Sequence, residues 1–163
     1  MGAIGFYIFY GIIWVVTLLP LRVLYLFSDL LFPVFYHVVR YRRKVVATNL
    51  KNSFPEKSED EILKIEKKFY KHLADLFIET FKLTHMSKVQ IMKRARLTDP
   101  VLLDRLFSED RDVALVVGHY GNWEWMNILP FWTKHRIVSI YKPLKEKHFD
   151  KYMIRTRSKF GSV

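Results

Sequence analysis

The sequence predicts an α/β protein in which an N-terminal membrane-anchoring helix precedes helices packed on a mainly parallel sheet. Three observations predict this class. An uncharged apolar run opens the chain, a short run rich in β-branched residues occupies residues 113–117, and a similar run follows at residues 136–141. Because a helix between two strands usually joins parallel neighbours, the two later runs predict a strand–helix–strand crossover.

The N-terminal region is apolar enough to bind a membrane. Residues 3–19 carry no charge. Their length is at the lower limit, ~17 residues, for a helix that spans ~30 Å of hydrocarbon. Residues 23–39 are also apolar, are interrupted by Asp29 and Pro33, and either continue the anchor or lie in the interface. No cationic leader or small-residue cleavage site accompanies them, which disfavours a signal peptide. Residues 1–39 are therefore predicted to be a membrane anchor, with a buried apolar hairpin as the alternative.

The charge of the chain lies almost entirely in its remainder. The 27 Lys and Arg against 16 Asp and Glu give a net charge of +11, and residues 1–39 contribute only Arg22 and Asp29. A basic body joined to an apolar arm favours an anionic membrane surface over nucleic acid, for which no motif is present. The basic run at residues 40–44 predicts a cytoplasmic location. The absence of Cys suits a reducing compartment and excludes disulfide or thiolate–zinc chemistry.

Local signals predict several helices. A capping box at residues 58–61 opens a long helix to about Leu83, with Glu66 expected on its solvated side. The Asp-Pro pair at residues 99–100 starts a second helix. The pattern of residues 149–157 predicts a third helix.

A candidate site follows the first predicted strand. Residues 113–117 lead through Gly118 to His119, a turn follows with Asn122 as N-cap, and Glu124 lies in the first turn of an apolar helix over residues 123–132. In open α/β sheets, ligands bind beyond the carboxyl ends of the strands. His119 and Glu124 are therefore placed where chemistry is expected.

The residue types at this corner suit general base catalysis. His119 can take a proton from a bound hydroxyl, and a carboxylate such as Glu124 can hold the imidazole in one tautomer. The chain has no Cys and no Gly-x-Ser-x-Gly elbow, so a covalent nucleophile is not favoured. The alternative is a structural corner in which Glu124 merely complements the helix dipole. Further along, Arg155 offers a fork for a phosphate, or else belongs to a solvated basic face.

Several segments together resemble one family. They are residues 42–50, 53–56 and 77–79, Gly-His-Tyr-Gly-Asn-Trp-Glu at residues 118–124, Tyr-Lys-Pro-Leu at residues 141–144, and Arg155-x-Arg157-x-x-Phe160-Gly161. In this order they resemble the bacterial lipid A biosynthesis acyltransferases, the late lauroyl and myristoyl transferases. These are related to the wider glycerolipid acyltransferases with a His-x-x-x-x-Asp/Glu motif. The resemblance covers essentially the whole chain.

The resemblance implies an enzyme on the cytoplasmic face of the bacterial inner membrane. It would move a fatty acyl group from acyl carrier protein to a hydroxyl of a lipid A precursor, with no metal or cofactor. By the same resemblance, His119 is the general base and Glu124 its partner. The residues implied to contact substrate are Asn122, Tyr141, Lys142, Arg155 and Arg157.

Members of this family are longer than the present chain, which stops at Val163. Residues 40–163 are therefore expected to be the N-terminal part of the catalytic domain, with a truncated sheet. Two alternatives stay open beside the leading interpretation. One is an acyltransferase that acts on another glycolipid or phospholipid, and the other is a non-catalytic membrane-bound remnant.

Overall fold

The computed structural model describes residues 2–163, and the regular secondary structure of this part of the chain is entirely helical. The predicted α/β class with a parallel sheet is therefore wrong. The α-helices are α1 Ala3–Val16, α2 Leu21–Pro33, α3 Arg43–Ser53, α4 Glu59–Lys82, α5 Lys88–Met92, α6 Pro100–Ser108 and α7 Lys147–Arg157. A π-helical segment, Val34–Val38, continues α2, and 3₁₀-helices cover Leu83–His85, Trp123–Phe131 and Ser158–Phe160.

The two predicted strands are irregular and exposed. Within residues 2–163, no other segment supplies backbone hydrogen bonds to residues 113–117, and Val116 is 92% exposed. In the described part of the chain, residues 137–139 are paired only with Val163, by two N–H···O=C bonds of 2.9 Å each. A strand needs neighbouring backbone along its length to satisfy its donors and acceptors. Two hydrogen bonds to a single residue do not form a sheet.

The described chain forms two compact units. The first unit combines the start of the chain, up to Val15, with Leu83–Val163, and the second unit is Val16–Lys82. This division follows contacts between residues. The predicted division at residue 39 concerns the membrane, and it stays a prediction.

In the second unit, α2 packs on the long helix α4. Ser28 donates a hydrogen bond to Asp75 Oδ1 at 2.5 Å, and the hydroxyl of Tyr25 donates to Glu79 Oε1 at 2.7 Å. The buried side chains of this unit include Leu24, Tyr36, Tyr70, Ala74 and Ile78. One face of α2 is thus tied to a charged helix.

The opposite face of α2 is apolar and exposed, with Val23, Leu26, Phe27 and Leu30 on it. Leu21–Val38 is also the one stretch among residues 2–163 that is helical, long and apolar enough to cross a membrane. Asp29 lies within α2, and the helix continues past Pro33 in the π-helical form. The helix α1 is apolar but shorter.

The predicted capping box of α4 is confirmed. The backbone N–H of Ser58 donates to Glu61 Oε2 at 2.9 Å, and the N–H of Glu61 donates to Ser58 Oγ at 3.4 Å. Two donors that the start of a helix would leave unpaired are satisfied in this way. At the far end, Lys82 Nζ donates to the carbonyls of Thr17 and Leu19 at 2.7 and 2.9 Å.

In the first unit, α7 is attached to the segment that follows α4. The hydroxyls of Tyr152 and Thr84 lie 2.8 Å apart. Lys159 Nζ donates to the carbonyls of Leu83, Thr84 and Met86 at 2.7–3.1 Å. These contacts fix the end of α7, which carries Arg157. The helix predicted to start at residues 99–100 is confirmed as α6, and the helix predicted over residues 149–157 is confirmed as part of α7.

Candidate active site

The candidate site is built on the turn that precedes the 3₁₀-helix Trp123–Phe131. Gly121 has a φ of +58°, the left-handed conformation that glycine adopts without strain. Asn122 is the N-cap, as predicted, and its Oδ1 accepts a hydrogen bond from the N–H of Glu124 at 3.2 Å. The predicted helix exists, but it is a 3₁₀-helix.

Glu124 is buried, and its carboxylate is held by Arg157. The side chain of Arg157 reaches it as a two-pronged fork, with Nε 3.0 Å from Oε2 and Nη2 on Oε1. Asn127 Nδ2 adds a longer bond of 3.3 Å to Oε2. The bond to Glu124 raises the pKa of Arg157 above its usual value, against the opposing effect of burial. A guanidinium–carboxylate fork of this kind fixes both side chains.

His119 is exposed, and its ring packs edge-on against Trp123 with ring centroids 5.2 Å apart. Within the described chain, the hydrogen bonds to the carboxylate of Glu124 come from Arg157 and Asn127. The structure therefore brings His119 and Glu124 to the same corner without a hydrogen bond between them.

Trp123 connects the parts of this cluster. The guanidinium of Arg157 lies 5.1 Å from the centroid of the Trp123 ring and 6.0 Å from that of Tyr141. Of the residues implied to contact substrate, Asn122, Tyr141 and Arg157 thus meet around Glu124. Lys142 and Arg155 are exposed. Within residues 2–163, no polar contact joins either of them to this cluster.

Two members of the cluster were missed in the sequence. Asn127 follows Glu124 by three residues, a spacing at which helical side chains meet. Trp123 is flanked by predicted site residues but has no spacing signal of its own. No group of three or more His, Asp and Glu in residues 2–163 is arranged to hold a metal ion.

Comparison with known proteins identifies the class of the chain. The model of the bacterial lipid A biosynthesis acyltransferase family matches residues 2–163. The chain therefore belongs to this family of acyltransferases, whose members are typically associated with membranes. No curated protein and no solved structure matches it.

Proposed function

We propose that this protein transfers a fatty acyl group from the thioester of acyl carrier protein to a hydroxyl of a lipid A precursor, at the corner formed by His119 and Glu124. The observation that carries the proposal is an exposed imidazole packed against Trp123, the residue that precedes a buried carboxylate fixed by Arg157, in a chain that belongs to this family. His119 is open to a substrate, while Glu124 is held in place by Arg157.

The chemistry assigned to His119 is general base catalysis. The imidazole takes the proton of the acceptor hydroxyl, and the oxygen attacks the thioester carbonyl. The carbon–sulfur bond then breaks, the acyl ester forms, and the carrier thiolate takes the proton from the imidazolium. Backbone N–H groups of the turn or nearby cations would stabilise the oxyanion. Neither a covalent enzyme intermediate nor a metal is needed.

The part assigned to Glu124 is to stabilise the imidazolium that forms on His119. In the structure its carboxylate bonds to Arg157 and Asn127. Catalytic hydrogen bonds are often long or poorly aligned before the substrate binds and tighten only in the complex. We expect Glu124 to come within hydrogen-bonding distance of His119 when acceptor and donor are bound, with Arg157 keeping the carboxylate at the corner.

The basic composition suits both proposed substrates. A net charge of +11 favours contact with a phosphorylated glycolipid and with an acidic carrier protein. Residues 1–39 would hold the protein at the cytoplasmic face of the inner membrane. Because α4 covers one face of α2 with charged side chains, we infer that α2 lies in the interface with its apolar face toward lipid.

The proposal is tested by acyl transfer with the full chain in phospholipid vesicles. Donors would be lauroyl or myristoyl acyl carrier protein and the matching coenzyme A thioester. Acceptors would be a lipid A precursor with a free hydroxyl and a glycerophospholipid with one. Mass spectrometry of the lipids should show one added acyl chain on the lipid A precursor, with acyl carrier protein as the better donor.

The other outcomes separate the alternatives. Transfer to the glycerophospholipid alone would assign the protein to another acceptor. Transfer to neither acceptor from either donor would favour a non-catalytic membrane-bound protein.

A further inference from the structure

A basic cleft lies in the second unit and includes none of the residues of the candidate active site. Its volume is about 630 Å³, and it is lined by Arg40, Arg42, Arg43, Lys44, Val45, Ala47 and Glu66. We call it the Arg40–Lys44 cleft. Four of its lining side chains are cations, and one is a carboxylate.

The one carboxylate of the cleft is already engaged. Arg43 Nε donates to Glu66 Oε1 at 2.9 Å, and Arg43 Nη2 donates to the hydroxyl of Tyr36 at 2.8 Å. The guanidinium of Arg43 also lies 4.2 Å from the centroid of the Tyr36 ring. Glu66 is only 5% exposed, whereas the Arg43 side chain is 35% exposed, so Arg43 reaches from the cleft to a buried carboxylate. Arg43 is therefore the fixed floor of the cleft.

The three other cations have no acidic partner in the described chain. Arg40, Arg42 and Lys44 are exposed, and no ion pair within residues 2–163 involves them. Like charges held together around one cleft repel each other unless an anion lies between them. The cleft thus has an excess of positive charge that an anionic ligand would neutralise.

Two of these cations lie on strained backbone. Arg40 and Arg42 have φ values of 50° and 51°, in the left-handed region that residues other than glycine rarely adopt. Strained backbone of this kind is found preferentially at ligand sites. Moreover, no side chain caps the start of α3 at Arg42, so the N–H groups there add to the positive potential.

The position of the cleft in the chain favours a ligand at a lipid surface. Arg40 comes two residues after the apolar helix Leu21–Val38, whose outward face is exposed. Cations that follow such a helix lie at the depth of lipid phosphates.

We propose that the Arg40–Lys44 cleft binds a phosphate group, supplied by the headgroup of an anionic lipid. Arg40, Arg42 and Lys44 contact the phosphate oxygens, and Arg43 holds the floor through Glu66. This inference goes beyond the proposed acyl transfer, since it concerns a second site whose binding is measured without any reaction.

The test uses the full chain in neutral detergent micelles and isothermal titration calorimetry. The ligands are short-chain phosphatidic acid, short-chain phosphatidylcholine and inorganic phosphate. The test variant is Arg40→Asn with Arg42→Asn, because asparagine tolerates the left-handed conformation and the Arg43–Glu66 pair stays intact. The matched control, Lys67→Gln with Lys68→Gln, removes two exposed positive charges of the same unit outside the cleft. Lys44→Gln serves as a milder second variant.

Phosphatidic acid should bind. The double Asn variant should bind it with an affinity lower by about tenfold or more, because one or two charge-assisted hydrogen bonds are lost. Lys44→Gln should give a smaller loss, and the control should bind like the wild type. Inorganic phosphate that binds equally well and loses affinity in the same variants would assign a soluble phosphate as the source. Equal loss in cleft and control variants, no loss in either cleft variant, or equal binding of phosphatidylcholine would overturn the proposal.

Discussion

At the scale of single residues, the sequence showed neither which carboxylates are buried nor which cations pair with them. Glu124 was predicted as the partner of His119, whereas its hydrogen bonds come from Arg157, 33 residues later, and from Asn127. Glu66 was expected on a solvated face and is instead buried against Arg43. Helical spacing identifies a face of a helix, but it does not reveal which distant cation makes a buried carboxylate tolerable.

The Arg157–Glu124 pair should contribute strongly to stability. Arg157→Ala leaves a buried carboxylate without its cation, which we expect to cost about 3 kcal/mol of the free energy of unfolding, because the pair is only partly exposed. The free energy of unfolding is measured by denaturant unfolding, followed by far-ultraviolet circular dichroism. Arg155→Ala, an exposed position of the same helix, is the control and should change the value by less than about 0.5 kcal/mol. Equal effects of the two substitutions would show that the pair adds nothing.

Lys82 gives a prediction about pH. Burial lowers the pKa of its amine below the ordinary value of 10.5. Between the lowered and the ordinary pKa, the unfolded chain binds more protons than the folded one, so rising pH favours the folded state. The melting temperature of the wild type minus that of Lys82→Met should therefore increase between about pH 7 and about pH 10. A constant difference across this range would contradict the assignment.

At the scale of elements, the helices with local signals were predicted correctly, whereas the two predicted strands are absent from the described chain. The capping box at Ser58 and the N-caps at Asp99 and Asn122 are readable because their hydrogen bonds span two or three residues. The runs at residues 113–117 and 136–141 have strand composition, but a strand is defined by its neighbours. The described chain supplies only the two bonds to Val163. The resemblance to a family therefore identified the class of protein although the predicted sheet is wrong.

The capping box should stabilise α4 measurably. Ser58→Ala removes the acceptor of the Glu61 N–H, and we expect a loss of about 1 kcal/mol. Ser58→Asn keeps an acceptor at the N-cap and should be nearly neutral. Thermal unfolding of both variants provides the comparison, and an Asn variant as unstable as the Ala variant would rule out capping as the cause.

At the scale of the whole molecule, the apolar arm and the basic body suggest two modes of membrane attachment. The exposed face of α2 offers large apolar side chains, with Leu26 64% and Leu30 67% exposed. Each would contribute about 1.5–3 kcal/mol when buried in lipid. The basic body adds attraction to anionic lipid that salt screens.

These two modes can be separated by washing membranes that contain the protein. Leu26→Gln with Leu30→Gln should increase the fraction released by high salt, where only apolar contact remains. The control Val89→Gln with Val101→Gln changes two equally exposed apolar residues of other helices and should leave release unchanged. Equal release of both double variants would mean that the exposed face of α2 does not contact lipid.

The most direct test of the account is the rate of acyl transfer to the lipid A precursor by wild type, His119→Ala and His72→Ala in the same vesicles. His72 is an exposed imidazole on α4 and serves as the matched control. Loss of the general base should lower kcat by about 100-fold or more, while His72→Ala should keep the wild-type rate. Transfer at the full rate by His119→Ala would contradict the assignment of the active site to this corner.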